Sequence, residues 1–197
     1  KFDNNIRLSY SITENESSAQ QIKHPIVRNT LNLLGIEGGI EITSISDIPS
    51  HGSGLGSSSS YTVALLHALY AYQGKSISKE ELGRLSSHIE IDLCGADIGK
   101  QDQYAASFGG LNLIEFNEDD SVVVSPVICK PETILRMEES ILVFYTGRTR
   151  SASSLLNDLS ENMKRPRKRA LMSDMVSIAY EMKDLLENND VDFVGEL

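Results

Sequence analysis

The sequence predicts an α+β protein, with an N-terminal domain over residues 1–147 and the helical start of a second domain over 148–197. Three features carry this reading. Strand-like alternation and helical periodicity are interleaved up to about residue 103, and strand-like runs follow at 111–116, 122–128 and 141–145. Beyond Gly147 the pattern is helical only, at 151–159 and 170–188. No internal repeat is visible.

Residues 6–12 alternate apolar and polar side chains, as a strand with one buried face should. His24-Pro25 opens a helix in which Ile26, Val27, Thr30, Leu31 and Leu34 share a stripe, and Gly35 suits the position just past its end. Residues 39–45 alternate again, and Asp47-Ile48-Pro49 ends that strand. Residues 61–70 are apolar almost all round, so their helix is expected to be buried on most sides and to stop at Gly74. Ser78-Lys79-Glu80-Glu81 has the capping-box spacing, and Leu82, Leu85 and Ile89 continue one face to about residue 93. Gly99 to Gln103 reads as a loop, and 117–120 as a hairpin turn.

Composition narrows the function classes. Hydrophobic residues make up 40% and charged residues 23%, ordinary for a globular protein, and no run of about 18 apolar residues predicts a membrane span. The net charge of −10 argues against general affinity for nucleic acid or anionic membrane. The first residues carry no apolar signal segment, and the two cysteines, Cys94 and Cys129, make neither a disulfide framework nor a metal pattern. A cytoplasmic protein with reduced cysteines is expected. Nothing in the sequence sets an oligomeric state.

The most informative segment is Pro49-Ser50-His51-Gly52-Ser53-Gly54-Leu55-Gly56-Ser57-Ser58-Ser59-Ser60. Alternating glycines allow positive φ and close approach of a ligand to the backbone. The serines supply hydroxyls and capping groups where the next helix begins, and a helix N-terminus offers unpaired N–H groups and a partial positive charge. Together these make a polyphosphate cradle; a flexible linker or a ligand-free turn are the plainer alternatives. Without a Gly-Lys-Ser/Thr ending the segment is no P-loop, and Ser57 replaces the third glycine of the dinucleotide pattern. Gly74-Lys75-Ser76 lacks the first glycine of a P-loop, because Leu69 stands there. Downstream, Glu90 and Asp102 are the carboxylates best suited to phosphoryl-transfer chemistry, with a solvated helix face and a loop cap as their plainer readings.

The Gly54-Leu55-Gly56-Ser57-Ser58 core, followed by small residues and an apolar helix, resembles the second signature of the GHMP kinases. That resemblance implies a ribosomal protein S5 domain 2-like N-terminal domain followed by a ferredoxin-like C-terminal one. It implies ATP bound by Pro49, Gly52, Gly54, Leu55, Gly56, Ser57, Ser58 and Ser59, with Mg2+ held by Ser57 and Glu90. Asp102 would be the catalytic base or the group that orients the acceptor, and Asp92 a weaker substitute for Glu90. Gly99-Lys100-Gln101-Asp102-Gln103-Tyr104 and the stretch to Asn112, with Tyr145-Thr146-Gly147 and Arg150-Ser151-Ala152-Ser153, are similar to the heptose phosphate kinase branch. The implied acceptor is a sugar or sugar phosphate, foremost the C1 hydroxyl of D-glycero-D-manno-heptose 7-phosphate, with galactose or fucose as alternatives. Lys100, Gln101, Gln103 and Arg150 are the implied sugar contacts. A non-catalytic sensor of the same fold is the rival reading.

The family's first motif is expected ahead of Lys1 and its third beyond Leu197, so the 197 residues alone are expected not to be fully active. The basic run 164–169 reads as a solvated turn between helices, and Arg148 shares with Arg150 a position after a strand end. The scattered histidines, including His51 and His67, form no zinc pattern or hydrolase triad.

Overall fold

A computed structural model describes residues 3–46, 54–144 and 166–197. The described residues up to Phe108 form one compact unit, and those from Gly109 onward form a second. The expected boundary at 147–148, the helix at 151–159 and Lys164 and Arg165 of the basic run lie outside the described residues. Residues 166–169 of that run, expected in a turn, open a helix instead and are exposed.

In the first unit, β1 (Ile6–Ser9) pairs antiparallel with β2 (Thr13–Glu16) and parallel with β3 (Glu41–Thr43), in the order β2-β1-β3. Registers run from Ile6 opposite Glu16 to Ser9 opposite Thr13, and from Arg7 opposite Glu41 to Ser9 opposite Thr43. The single strand expected at 6–12 is therefore a strand and a turn. The chain reverses at Tyr10–Ile12, where Tyr10 N–H donates to Ile12 O at 2.9 Å, and the polar strand β2 follows. Its Thr-Glu-Asn-Glu sequence carries no apolar alternation to reveal it. Glu14 is buried there, receiving hydrogen bonds from Tyr10 Oη (3.0 Å) and Lys23 N–H (2.6 Å).

Helix α1 (Pro25–Leu33) ends as expected. Gly35 has φ 65°, Gly35 N–H donates to Asn32 O, and Ile36 N–H to Leu31 O, the paired bonds of a Schellman stop. Helix α2 (Ser57–Tyr72) is buried on two sides. Leu65 and Leu69 pack with Ile6, Leu8, Val27 and Leu31, while Val63 and Leu66 pack with Leu82, Leu85 and Ile89 of the next segment. Two apolar faces in one helix explain its unstriped sequence. Helix α3 (Lys79–His88) is capped by Ser78 Oγ, which accepts from Glu81 N–H at 3.2 Å.

Residues expected to be a loop open a helix instead, α4 (Gln101–Phe108). Gln101 to Phe108 contains neither glycine nor proline, and Gly109 with φ 63° follows as a stop.

In the second unit, β4 (Asn112–Phe116) and β5 (Val122–Pro126) form the expected hairpin, with Asn112 opposite Pro126 and Phe116 opposite Val122. Helix α5 (Pro131–Ser140), which the sequence reading missed, is tied at its start by Asn189 Oδ1, accepting from Lys130 N–H and Thr133 Oγ1. Helix α6 (Pro166–Glu187) matches the expected last helix and meets β4 where Tyr180 Oη donates to Glu115 (2.6 Å). Of the strand expected at 141–145, residues 141–144 are described and are not a strand. They are exposed, and no strand among the described residues pairs with them. No helix among the described residues is long and apolar enough to cross a membrane.

Candidate active site

Helix α2 starts at Gly56, whose backbone is left-handed (φ 65°, ψ 24°), as is that of Gly54 (φ 72°). L side chains are strained in that conformation, which is why glycine alternates here. The first bond inside the helix runs from Ser60 N–H to Gly56 O at 2.9 Å. The N–H groups of Ser57, Ser58 and Ser59 therefore precede that first intrahelical bond and stand at the positive end of the helix. Leu55 and Ser58 are exposed, Ser57 is half-buried and Ser59 buried.

Glu90 approaches from α3. After His88 the chain makes one wide turn, Ile89–Leu93, closed by Cys94 N–H on Ile89 O at 2.9 Å, a five-residue span characteristic of a π turn. Asn29 of α1 holds the end of that turn, donating to Leu93 O and Cys94 Sγ. Ile89 is 0% and Glu90 2% exposed, so two consecutive side chains face inward. Glu90 Oε1 accepts from Ser58 Oγ at 2.5 Å, and Oε2 accepts from Gln103 Nε2 at 2.6 Å. No basic side chain among the described residues pairs with this carboxylate.

Asp102 lies in the first turn of α4 and is exposed. A Cβ built on Gly56 would come within 3.3 Å of its carboxyl carbon and Oδ2. Both carboxylates thus meet the start of α2, Glu90 through Ser58 and Asp102 against Gly56. Helix α4 is seated close on α3 because Gly83 leaves room: a Cβ there would lie 2.9 Å from Ser107 Oγ and 3.0 Å from Tyr104.

Of the expected site residues, Gly54, Leu55, Gly56, Ser57, Ser58, Ser59, Glu90 and Asp102 converge here. Lys100 and Gln101 open α4 next to Asp102, with Lys100 O accepting from Tyr104 N–H. Gln103, expected to touch a sugar, is fully buried and turned toward Glu90, because one helical step past Asp102 faces the core. Ser58 is the serine bonded to Glu90, a partnership that spacing along the chain does not reveal. Asp92 faces away, paired with His88 Nδ1 at 2.7 Å. Pro49, Gly52, Arg148 and Arg150 lie outside the described residues.

No group of three or more His, Cys, Asp or Glu side chains among the described residues could enclose a metal ion. One buried carboxylate beside a serine hydroxyl fits a hard cation such as Mg2+, which takes few protein ligands and keeps phosphate and water oxygens for the rest.

Residues 21–110 match the model of the GHMP kinases N terminal domain. A D-glycero-alpha-D-manno-heptose 7-phosphate kinase of Campylobacter jejuni is 30% identical over 152 residues, covering 77% of this chain and 44% of that protein. A galactokinase of Mycobacterium tuberculosis is 38% identical over 98 residues, 48% of this chain and 25% of that one. Among solved structures, a D-glycero-D-manno-heptose 1-phosphate kinase from Bacteroides thetaiotaomicron superposes with a TM-score of 0.73 at 25% identity, covering 96% of this chain and 60% of that chain. The chain therefore spans less than two thirds of the length of each of these relatives. The glycine–serine turn, Glu90 and Asp102 all fall inside the matched segment, and the chain carries a GHMP kinase N-terminal domain over residues 21–110.

Proposed function

We propose that the whole protein is an ATP-dependent sugar kinase that transfers the γ-phosphoryl group to a sugar hydroxyl, foremost the C1 hydroxyl of D-glycero-D-manno-heptose 7-phosphate. The observation that carries this is the convergence of Glu90 and Asp102 on the N-terminal turn of α2. The heptose assignment is supported by the likeness to a relative named for that substrate, and galactose or fucose are the alternatives that other relatives support.

In this reading the N–H groups of Ser57, Ser58 and Ser59 bind phosphate oxygens, with Gly54, Leu55 and Gly56 shaping the turn and Pro49 and Gly52 completing the ATP loop. Glu90 would hold Mg2+ together with Ser58, its hydrogen-bond partner, and with the adjacent Ser57. When bound, the cation neutralises charge on the phosphates. Asp102 orients the acceptor hydroxyl and takes its proton as the sugar oxygen bonds to phosphorus; an anomeric hydroxyl, more acidic than an ordinary alcohol, needs no stronger base. Lys100, Gln101 and Arg150 contact the sugar or its phosphate. The two free thiols support a reducing, cytoplasmic setting.

The test is ADP release by the full-length protein across a panel of sugars and sugar phosphates. Heptose 7-phosphate is expected to stimulate it most. Stimulation by galactose or fucose alone would change the acceptor, and stimulation by no sugar would sink the kinase reading in favour of a non-catalytic sensor.

A further inference from the structure

Gln103 is 0% exposed, and its amide donates to Glu90 Oε2 at 2.6 Å. Its own carbonyl, Oε1, is buried without a hydrogen-bond partner. A buried acceptor left unsatisfied is destabilising, and an apolar side chain of similar length would avoid that cost. The amide orientation is set by chemistry, since only its N–H end can face a carboxylate. The polar group is therefore costly to the fold as packing and useful only through what its donor holds.

What it holds is a carboxylate that is 2% exposed, with Ser58 Oγ on the other oxygen. Gln103 also follows Asp102 directly on α4, so a single turn presents one residue to the start of α2 and the next to Glu90. We infer that Gln103 is a positioning residue for Glu90. Its amide fixes Oε2, orients the carboxylate toward Ser58 and the phosphate-binding turn, and holds the two carboxylates at a set separation. The inference rests on the kinase reading above and reassigns Gln103 from the sugar pocket to the support of the cation-binding carboxylate.

The experiment uses the full-length protein and its Gln103→Leu and Gln103→Met variants, which keep bulk and remove the donor. Two quantities are measured: calorimetric affinity for ADP with and without Mg2+, and the Mg2+ concentration for half-maximal ADP release. Loss of a group that orients a metal ligand weakens metal affinity by roughly 10–100-fold. The Mg2+-dependent part of ADP affinity should fall on that scale, the half-maximal Mg2+ concentration should rise with it, and metal-free ADP binding and sugar KM should hold. Should Gln103→Leu fail to fold, judged by circular dichroism, the more flexible Gln103→Met supplies the readout. A raised sugar KM with unchanged Mg2+ dependence would overturn the inference and return Gln103 to the sugar. A wild-type protein that binds nucleotide with no Mg2+ dependence, or releases no ADP with any sugar, would instead defeat the kinase reading itself.

Discussion

Gly56 and Asp102 lie 46 positions apart in the sequence, yet a methyl group on the first would press within 3.3 Å of the carboxylate of the second. That contact adds to the strain of a left-handed backbone, which costs an L residue about 1–2 kcal/mol. Gly56→Ala should therefore lower stability by about that amount in denaturant melts. It should also lower ADP release more than the folded fraction explains, because it displaces Asp102. Asp102 itself is exposed in the first turn of α4, so its replacement leaves the core untouched. Asp102→Asn keeps the shape and removes the proton acceptor. Turnover in the full-length protein should fall by roughly 10²–10⁴-fold with little change in nucleotide affinity. Turnover at the wild-type rate would remove Asp102 from the chemistry. The residue types of this site were legible from the sequence, because glycine, serine and carboxylate chemistry is intrinsic to each side chain. The partner of each was not.

At the level of elements, sequence reading succeeded where a segment's neighbours along the chain decide its structure. The stops at Gly35 and Gly74, the Ser78 cap and the 117–120 turn are such cases, each closed by bonds within a few residues. It failed where the deciding partner is distant. The tetrapeptide of β2 is a strand because β1 offers it a ladder, and 141–144 is not one because no described strand does. Helix α4 is a further case: its buried face, Gln103, Tyr104 and Ser107, is defined by what it meets on α3 and on the turn that follows α3. The close approach at Gly83 provides a check. Gly83→Ala would force a methyl against Ser107 and Tyr104 and push α4, with Asp102 and Gln103, away from α3. Overpacking of this kind costs about 1–3 kcal/mol, measurable as a lowered denaturation midpoint. Activity should fall with it, and an unchanged midpoint would mean that α3 and α4 are not so tightly seated.

For the molecule as a whole, the pH dependence of stability follows from one partly buried polar cluster in the first unit. His24 lies edge-on to Tyr10 (5.0 Å between ring centres) and tilted against Tyr61 (5.4 Å). Burial pushes the His24 imidazole below its ordinary value near 6.5, against the pull of Glu14. Burial works against the Glu14 carboxylate too, but donation from Lys23 N–H, Tyr10 Oη and His24 N–H outweighs it and holds the group below its ordinary 4.5. Both folded pKa values are depressed, so on acidification the unfolded chain takes up protons first. Stability should decline as pH falls below about 6.5 and again below about 4.5. Burial pushes Tyr61 up to about 12, so above pH 10 the unfolded chain loses its proton first and stability declines again. Thermal melts across pH should show both limbs. Tyr61→Phe should flatten the alkaline limb at little cost near neutrality, since the Tyr61 hydroxyl is buried without a partner. An alkaline limb unchanged by that substitution would assign it to another group.

By itself, the sequence determined the chemistry that short-range forces set: a glycine–serine turn at a helix start, a stop or cap for each of the first three helices, the late hairpin, and two carboxylates of the right kind. The tertiary structure alone decided that Ser58 meets Glu90 across 32 residues, that Gln103 meets it across 13, and that Asp102 stands against Gly56. The physical reason is range. Backbone conformation and capping depend on atoms a few bonds away, whereas a hydrogen bond between distant side chains exists only after α2, α3 and α4 have buried their apolar faces together and brought those side chains into reach.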